Sequence, residues 1–512
     1  MRTRKSIKNI IWAAIIFTIN IIVNFISRKI FIVIMGNEYN GLNSLLLNVS
    51  SMLSIAELGI SNAIIYKLYK PFSENNKEKI KSLMKFYKNA YRLVAISVLA
   101  IGICILPFLK YIINDIDIDI NIHISYILYV IDVFVSYLLS YKRSIFIVSQ
   151  NEYIIKKIHL LYVLLYNTIQ TLIIFLTKNY YLFLIIKILF TILENIIITM
   201  FANKKYPFLL SKADKLDKND KKEIIQKIKA LFVHKVAGFI VNGTDNILIS
   251  LFFGIIMVGK YNNYFVIMNS LFMLVSAVFT AITPSIGNLL VEDNKEKNLN
   301  VYKKIKLINL IISLVSSCLL LALIQNFIIL WLGKEYILDN TLICTIVIYY
   351  FYRTLKLPIV SFKDAAGIYY EDRFVPLIES IINVVFSIFF AKLLGLTGIL
   401  IGTIISNLFL FVYSYPKFVY SKLFNSNAME YYKLFFKDSI IMLFTLSLVN
   451  IINTNIIIKN IYLNMIFEII IGLFIPIIII IIIYKDSAEL KYYLNILKKN
   501  TRTIFFNKKK NI

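Results

Sequence analysis

The chain is poor in the residues that build metal centres, disulfide frameworks and catalytic dyads: its 512 residues include three cysteines, three histidines and eight prolines. Cys104, Cys318 and Cys344 lie far apart within apolar runs and read as small hydrophobes. His123, His159 and His234 are equally scattered, so neighbouring residues assemble neither a zinc motif nor a catalytic triad. No GxxxxGK[ST] and no GxGxxG occurs, which removes the phosphate-binding loop and the dinucleotide fingerprint. The expectation is a protein with no metal, no cofactor and no enzymatic chemistry of its own.

What the chain has is apolar length. Hydrophobic residues make up 59% of it, and the mean hydropathy is +0.74. No soluble domain of this size could cover so much apolar surface. The net charge of +27 would suit nucleic acid only if the cations gathered on one solvated face. Instead they sit in short segments between apolar runs, so a nucleic-acid partner is not expected.

Fourteen stretches are long and apolar enough to cross a bilayer, with cores at 10–34, 42–66, 93–113, 122–141, 158–177, 180–202, 236–257, 264–290, 307–331, 341–360, 374–394, 396–416, 439–458 and 461–484. With the amino terminus placed inside, 47 of the 56 lysines and arginines fall in the inward segments. The positive-inside rule accounts for that alternation and puts both termini on the cytoplasmic side. Met1 to Lys8 carries four basic residues ahead of the first run, with no small-residue cleavage site, and reads as the flank of a retained span. The outward connections are short, and one holds Asp115, Asp117 and Asp119. None is large enough for an external catalytic domain.

The longest polar interruption, Asn203 to Lys229, follows the sixth stretch and reads as a solvated linker with a short amphipathic helix. It divides the chain into an amino-terminal six-helix lobe at 1–203, a linker at 204–229, a second six-helix lobe at 230–420, two further helices at 421–485 and a basic tail at 486–512. A shift of 222 residues places Phe17, Asn20 and Asn24 on Phe239, Asn242 and Asn246, then Tyr39 and Asn40 on Tyr261 and Asn262, and Ser54 on Ser276. An even number of spans between the copies makes this a parallel repeat about an axis along the membrane normal. The expected architecture is therefore all-α and integral to the membrane, with about 14 transmembrane helices: two six-helix lobes in pseudo-repeat plus two carboxyl-terminal helices.

Polar residues recurring at helical spacing inside apolar stretches mark faces turned toward protein or water. The first stretch offers Asn20, Asn24 and Arg28; the second Ser50, Ser54, Glu57 and Ser61; the fourth Asp132, Ser136 and Ser140. The seventh has Asn242, Asn246 and Ser250 with Asp245 beside them, the eighth Asn269, Ser276, Thr280 and Thr283, and the tenth Tyr349, Arg353 and Lys356. Such stripes line a hydrated cavity or supply interhelical hydrogen bonds; both readings stay open for the Asn and Ser residues. Buried ionisable groups cost more and are paired or hydrated. Glu194, Glu379 and Glu468 show no obvious partner, and Lys187 reads as an anchor at the outer interface.

Gly36, Gly41 and Leu42, the Glu57-Leu58-Gly59 triplet within the stretch from Asn37 to Pro71, and LTGILIGTIISN from Leu396 to Asn407 resemble the polysaccharide flippases of the multidrug/oligosaccharidyl-lipid/polysaccharide exporter superfamily. The resemblance runs over nearly the whole length. It implies a MATE-like fold and translocation of a polyprenyl-diphosphate-linked oligosaccharide across a bacterial cytoplasmic membrane by alternating access of two lobes. Membrane lipids and other polysaccharide-assembly proteins are the implied partners. Arg28, Lys29, Arg353 and Lys356 are candidates for binding the diphosphate or acidic sugars, and Glu57, Asp132 and Asp245 for coupling to an ion gradient. Asn20, Asn24, Ser54, Ser61, Asn242, Asn246, Ser276 and Thr280 are the candidate cavity lining. A flippase for a lipid-linked cell-wall precursor, a drug/cation antiporter of the same fold, and a membrane glycosyltransferase or polymerase are the alternatives.

Overall fold

A computed structural model describes residues 2–57, 60–113, 118, 120–292, 294–368, 371–456 and 458–495, with side chains for all of these except 2–11, 13, 14, 55, 56, 62, 227, 229–235, 237, 239 and 242. Asp115, Asp117, Asp119, Leu58, Gly59, the tail from 496 onward and the Asn242 side chain lie outside the described residues.

Among the described residues every regular element is a helix. In chain order they begin with α1 (Arg2–Met35), α2 (Asn37–Leu53), α3 (Ile60–Ser73), α4 (Lys77–Ile105), α5 (Ile122–Ser140), α6 (Arg143–Val148), α7 (Glu152–Thr177) and α8 (Tyr180–Lys205). Then come α9 (Lys218–Val291), α10 (Lys295–Trp331), α11 (Asn340–Leu355), α12 (Leu357–Ala366), α13 (Val375–Leu394), α14 (Leu396–Phe409), α15 (Ala428–Asn455) and α16 (Ile461–Tyr484). Asparagine sets many of the starts. The side chains of Asn76, Asn121, Asn179, Asn294, Asn427 and Asn460 each accept a backbone N–H in the first turn of the following helix. Asp339 does the same for α11. Each such cap satisfies a donor that the helix cannot satisfy itself.

Among the described residues, twelve helical stretches are long and apolar enough to cross a membrane. The difference from the fourteen expected has a local cause at two places. Gly243–Val291 is one continuous stretch holding the seventh and eighth spans, bent at Gly254, where φ is 77°. The second span is interrupted: α2 is 17 residues long and gives way to a 3-10 turn at Ser54–Glu57, and α3 starts at Ile60. The tenth is interrupted as well, α11 ending at Leu355 and α12 starting at Leu357 with Pro358 in its first turn. Proline has no N–H to give to the previous turn, which is why a break falls there.

The chain forms two compact units, Met1–Asn262 and Asn263–Ile512. The division falls inside α9, after its bend, and not at the 204–229 segment. That segment is tied to the first unit by charge. Lys79 bonds Asp217 at 2.8 Å and also Asp220, while Lys67 lies 3.5 Å from Asp220 and bonds Glu223. The hydrogen bond from Lys79 is the largest influence on Asp220 and, with the charges of Lys79 and Lys67, holds its carboxyl below the ordinary 3.8 against the opposing effect of burial. A lowered pKa means the clamp contributes at neutral pH and is lost only as pH falls through that lowered value. Asp220→Asn should therefore speed trypsin cleavage within 206–217 at pH 7, read on a gel against the unaltered protein.

In the second unit, α10 and the α11–α12 pair form the centre: 61% and 72% of their apolar windows are buried, against 22% for α13. α15 and α16 pack on α10 through polar contacts in an apolar setting. Lys306 on α10 pairs with the fully buried Asp438 on α15, whose other oxygen accepts from Tyr484 at 3.1 Å. Asn326 donates to Glu468 at 2.6 Å, as does Asn464 at 2.9 Å, so Glu468 has the partners the sequence did not reveal. Breaking a buried pair from one side leaves a charge uncompensated, at about 3–5 kcal/mol. Lys306→Met should lower the thermal midpoint of the detergent-solubilised protein accordingly, with Lys306→Met/Asp438→Leu recovering most of the loss.

Candidate functional site

In the first unit, Arg28 on α1 reaches across to α2, its Nη2 lying 3.5 Å from Ser44 Oγ. Lys29 is exposed. Successive helical residues lie about 100° apart, so these neighbours in sequence do not form one cationic site. Asn24 is exposed, and the Oδ1 of Asn20 is buried with no hydrogen-bond partner among the described residues.

The break in the second span places Glu57 at the end of the 3-10 turn. Its Oε1 accepts from Tyr91 at 2.6 Å; Tyr91 in turn takes a bond from Tyr87 at 3.1 Å, and Tyr87 and Ser61 are 2.6 Å apart. Tyr137 packs edge-on to Tyr91 at 5.6 Å and interacts with Ser54. Glu57, Ser54 and Ser61 thus meet in one tyrosine-lined cluster between α3, α4 and α5. Among the described residues, a tyrosine hydroxyl holds the carboxylate and no cation pairs with it.

The other acids of this unit are engaged differently. Asp132 accepts from Thr191 at 2.7 Å and pairs with Lys187 at 3.2 Å, whose ammonium also lies 5.0 Å from the Tyr129 ring. Lys187 is therefore an internal partner on α8 and not an interface anchor; a carboxylate on α5 draws it inward. Glu194, for which the sequence offered no partner, is buried between Arg143 at 3.1 Å and His159 at 3.0 Å, and Arg143 also bonds Asn195 at 3.0 Å. Those partners come from α6 and α7, which no local spacing could connect to α8. Asp245 is buried and engaged. Asn246 exchanges amide hydrogen bonds with Asn262, at 3.1 and 3.4 Å, one bend away. Ser250 donates to the Ile112 carbonyl at 2.6 Å.

Gly36 and Gly254 share an unusual backbone, φ 90° with ψ 172° and φ 77° with ψ 171°, which a residue without a Cβ adopts freely. Each is followed five positions later by a second glycine, Gly41 and Gly259, and these two make a close approach. A Cβ on Gly41 would overlap the Ile255 carbonyl oxygen; one on Gly259 would come within 2.6 Å of Asn37 Oδ1 and 2.8 Å of its carbonyl oxygen. Asn37 donates to the Ile256 carbonyl at 3.0 Å and Asn40 to that of Gly259 at 3.2 Å. These backbone landmarks recur 218 positions apart, about one helical turn from the 222 suggested by the asparagines.

In the second unit the candidate cations sit at the break between α11 and α12. Arg353 donates to Asn269 at 2.6 Å, and its guanidinium lies 3.9 Å from the Phe272 ring centroid and 6.0 Å from that of Tyr349. Among the described residues, no carboxylate pairs with it. Lys356 donates to Asn407 on α14 at 2.8 Å, and Glu379 on α13 acts on it electrostatically. Ser276 and Thr280 are bonded to each other along their own helix, Thr280 Oγ1 to the Ser276 carbonyl at 3.0 Å.

Helices broken beside Glu57 and at Lys356 mark an α-helical membrane fold with discontinuous spans. The chain shares its fold with solved members of the superfamily that the sequence resembles. It superposes on the lipid II flippase MurJ in its inward closed conformation with a TM-score of 0.67 at 14% identity, over 93% of this chain and 99% of that one. An inward-facing multidrug resistance MATE family transporter of the MOP superfamily gives 0.60 at 14%, over 80% and 96%. The Vibrio cholerae MATE transporter VcmN in its bent form gives 0.54 at 12%, over 84% and 99%. No family model and no curated protein sequence matches the chain.

Proposed function

We propose that this protein is a flippase that carries a polyprenyl-diphosphate-linked oligosaccharide across the bacterial cytoplasmic membrane for surface-polysaccharide assembly. Arg353 carries the reading. It is a permanent cation in the most buried pair of helices of its unit, held by an amide and an aromatic face, so its charge remains available to an anion. A diphosphate matches that charge, Asn and Ser groups suit a glycan, and the polyprenyl tail can remain in the bilayer. Lys356 is the second candidate for the diphosphate; Arg28 is a candidate for acidic sugars, and Lys29, being exposed, is the weakest of the four. A lipid-linked cell-wall precursor offers the same diphosphate and is the second reading, favoured by the overlay on the lipid II flippase. A drug/cation antiporter would place acids, not Arg353, at this position.

Glu57 is the best-placed coupling residue. It sits at a helix break and is held by Tyr91 alone among the described partners, whereas Asp132 is neutralised by Lys187. Glu57→Gln should leave transport insensitive to collapse of the proton or sodium gradient, while Glu57→Asp keeps the dependence; rates with and without ionophore decide it.

The test of the function is leaflet-specific labelling in proteoliposomes. Vesicles containing the protein should expose a lipid-linked oligosaccharide on the second leaflet faster than empty vesicles. Equal rates would refute the reading, and faster movement of a lipid-linked cell-wall precursor than of the oligosaccharide would select the second.

A further inference from the structure

A cavity of about 590 Å³ opens in the first unit between α4, the turn after α5 and the segment 209–214. Lys81, Lys85 and Lys88 project into it from one face of α4, at i, i+4 and i+7. Lys142 closes it from the turn after α5 and Lys212 from the segment after α8; Asp214 is the single acid in the lining.

The lysines are not neutralised equally. Lys81 pairs with Glu78 at 2.8 Å, and Lys85 donates to the Ala213 carbonyl at 2.7 Å. Lys142, only 8% exposed, donates to the neutral amide of Asn203. No carboxylate among the described residues pairs with Lys88, Lys142 or Lys212. Burial, then the nearby charge of Lys88, pulls the Lys142 ammonium below its ordinary value. A buried ammonium facing a second one is costly unless an anion lies between them.

Apolar groups stand beside this charge. Met84, Tyr141 and Leu209 are among the lining residues, and Leu210 is 66% exposed at its rim. Met200, 63% exposed on the last turns of α8, lies one helical turn before Asn203, the residue that holds Lys142. A soluble anion would use the lysines and leave these apolar groups uncovered; a lipid uses both. Basic pockets between membrane helices bind acidic headgroups in this way.

We propose that this cavity binds the phosphodiester headgroup of an anionic membrane phospholipid, seated between Lys88 and Lys142, with its acyl chains along Leu210 and Met200. Lysine serves here as a point charge for phosphate oxygens. The site belongs to the first unit and does not depend on the transport reading.

The test uses the purified, delipidated full chain and native mass spectrometry, titrating phosphatidylglycerol, phosphatidylcholine and inorganic phosphate. Phosphatidylglycerol should bind more tightly than phosphatidylcholine, and Lys88→Gln/Lys142→Gln should weaken its binding by about thirtyfold, the loss of two lysine–lipid attractions. Lys212→Gln, an exposed change that leaves the packing alone, should weaken it by about fivefold, the loss of one such attraction. Equal binding of the two lipids, or undiminished selectivity in both variants, would overturn the assignment. Displacement of phosphatidylglycerol by inorganic phosphate at matched ionic strength would also overturn it, by making the ligand a soluble phosphate.

Discussion

Placing a single methyl group at Gly41 should cripple transport while leaving the protein inserted and folded. The added Cβ would overlap the Ile255 carbonyl, which is backbone and cannot rotate away as a side chain could. Forcing such contacts apart costs about 1–3 kcal/mol. Because the cost falls only on the state in which α2 and the second arm of α9 touch, it lowers that state's population by roughly 5- to 150-fold. Gly259→Ala should be milder, since part of its clash is with the Asn37 side chain, and Gly259→Leu as severe as Gly41→Ala. Spin labels at Asn37 and Ile256 report the separation directly. A short, unbroadened distance in Gly41→Ala, or flipping at the unaltered rate, would show that the close approach has no part in the cycle.

Arg353→Ala should produce the other large loss. Truncating a buried charged partner typically costs 2–5 kcal/mol, so the initial rate in proteoliposomes should fall by roughly 30- to several thousand-fold. Arg353→Lys should restore part of it, because the charge survives but the planar contact with Phe272 and the fork toward an anion do not. Lys356→Ala should cost less, since Glu379 already draws on that charge. Arg353→Ala retaining the full rate on a diphosphate lipid would remove the anion reading and favour the antiporter alternative.

Most of the helical layout is readable from the sequence, because a run of about 20 apolar residues is a strong and local signal. The asparagine caps are equally local, although so many asparagines also look like compositional bias. The breaks at Ser54–Glu57 and at Lys356 are less legible: hydropathy continues through both, and only the Ser54 to Gly59 run and Pro358 hint at them. Pairings are the least legible. Lys306 and Asp438 are 132 positions apart, and Glu194 takes partners from two other helices, so each looks solitary in sequence. Lys187 reads as an interface anchor for the same reason, its carboxylate being 55 residues upstream on α5. Arg28 and Lys29 err the other way, since residues adjacent in sequence point apart around a helix. Arg353 stands out in the sequence, but that its partners are Asn269 and Phe272 depends on packing alone.

The contact between the two glycine pairs has a symmetry of its own. Gly41 meets Ile255, and Gly259 meets Asn37; with the two glycine pairs superposed, Asn37 and Ile255 are equivalent positions. That is the pairing rule of a homodimer interface, carried inside one polypeptide. Its shape is two-sided, but its hydrogen bonds are not: Asn37 and Asn40 supply the donors, and the positions matching them, Ile255 and Val258, have no side-chain donor to return. One set of hydrogen bonds holds a contact that both glycine pairs shape, so the donors are needed on one side while the absence of a Cβ is needed on both.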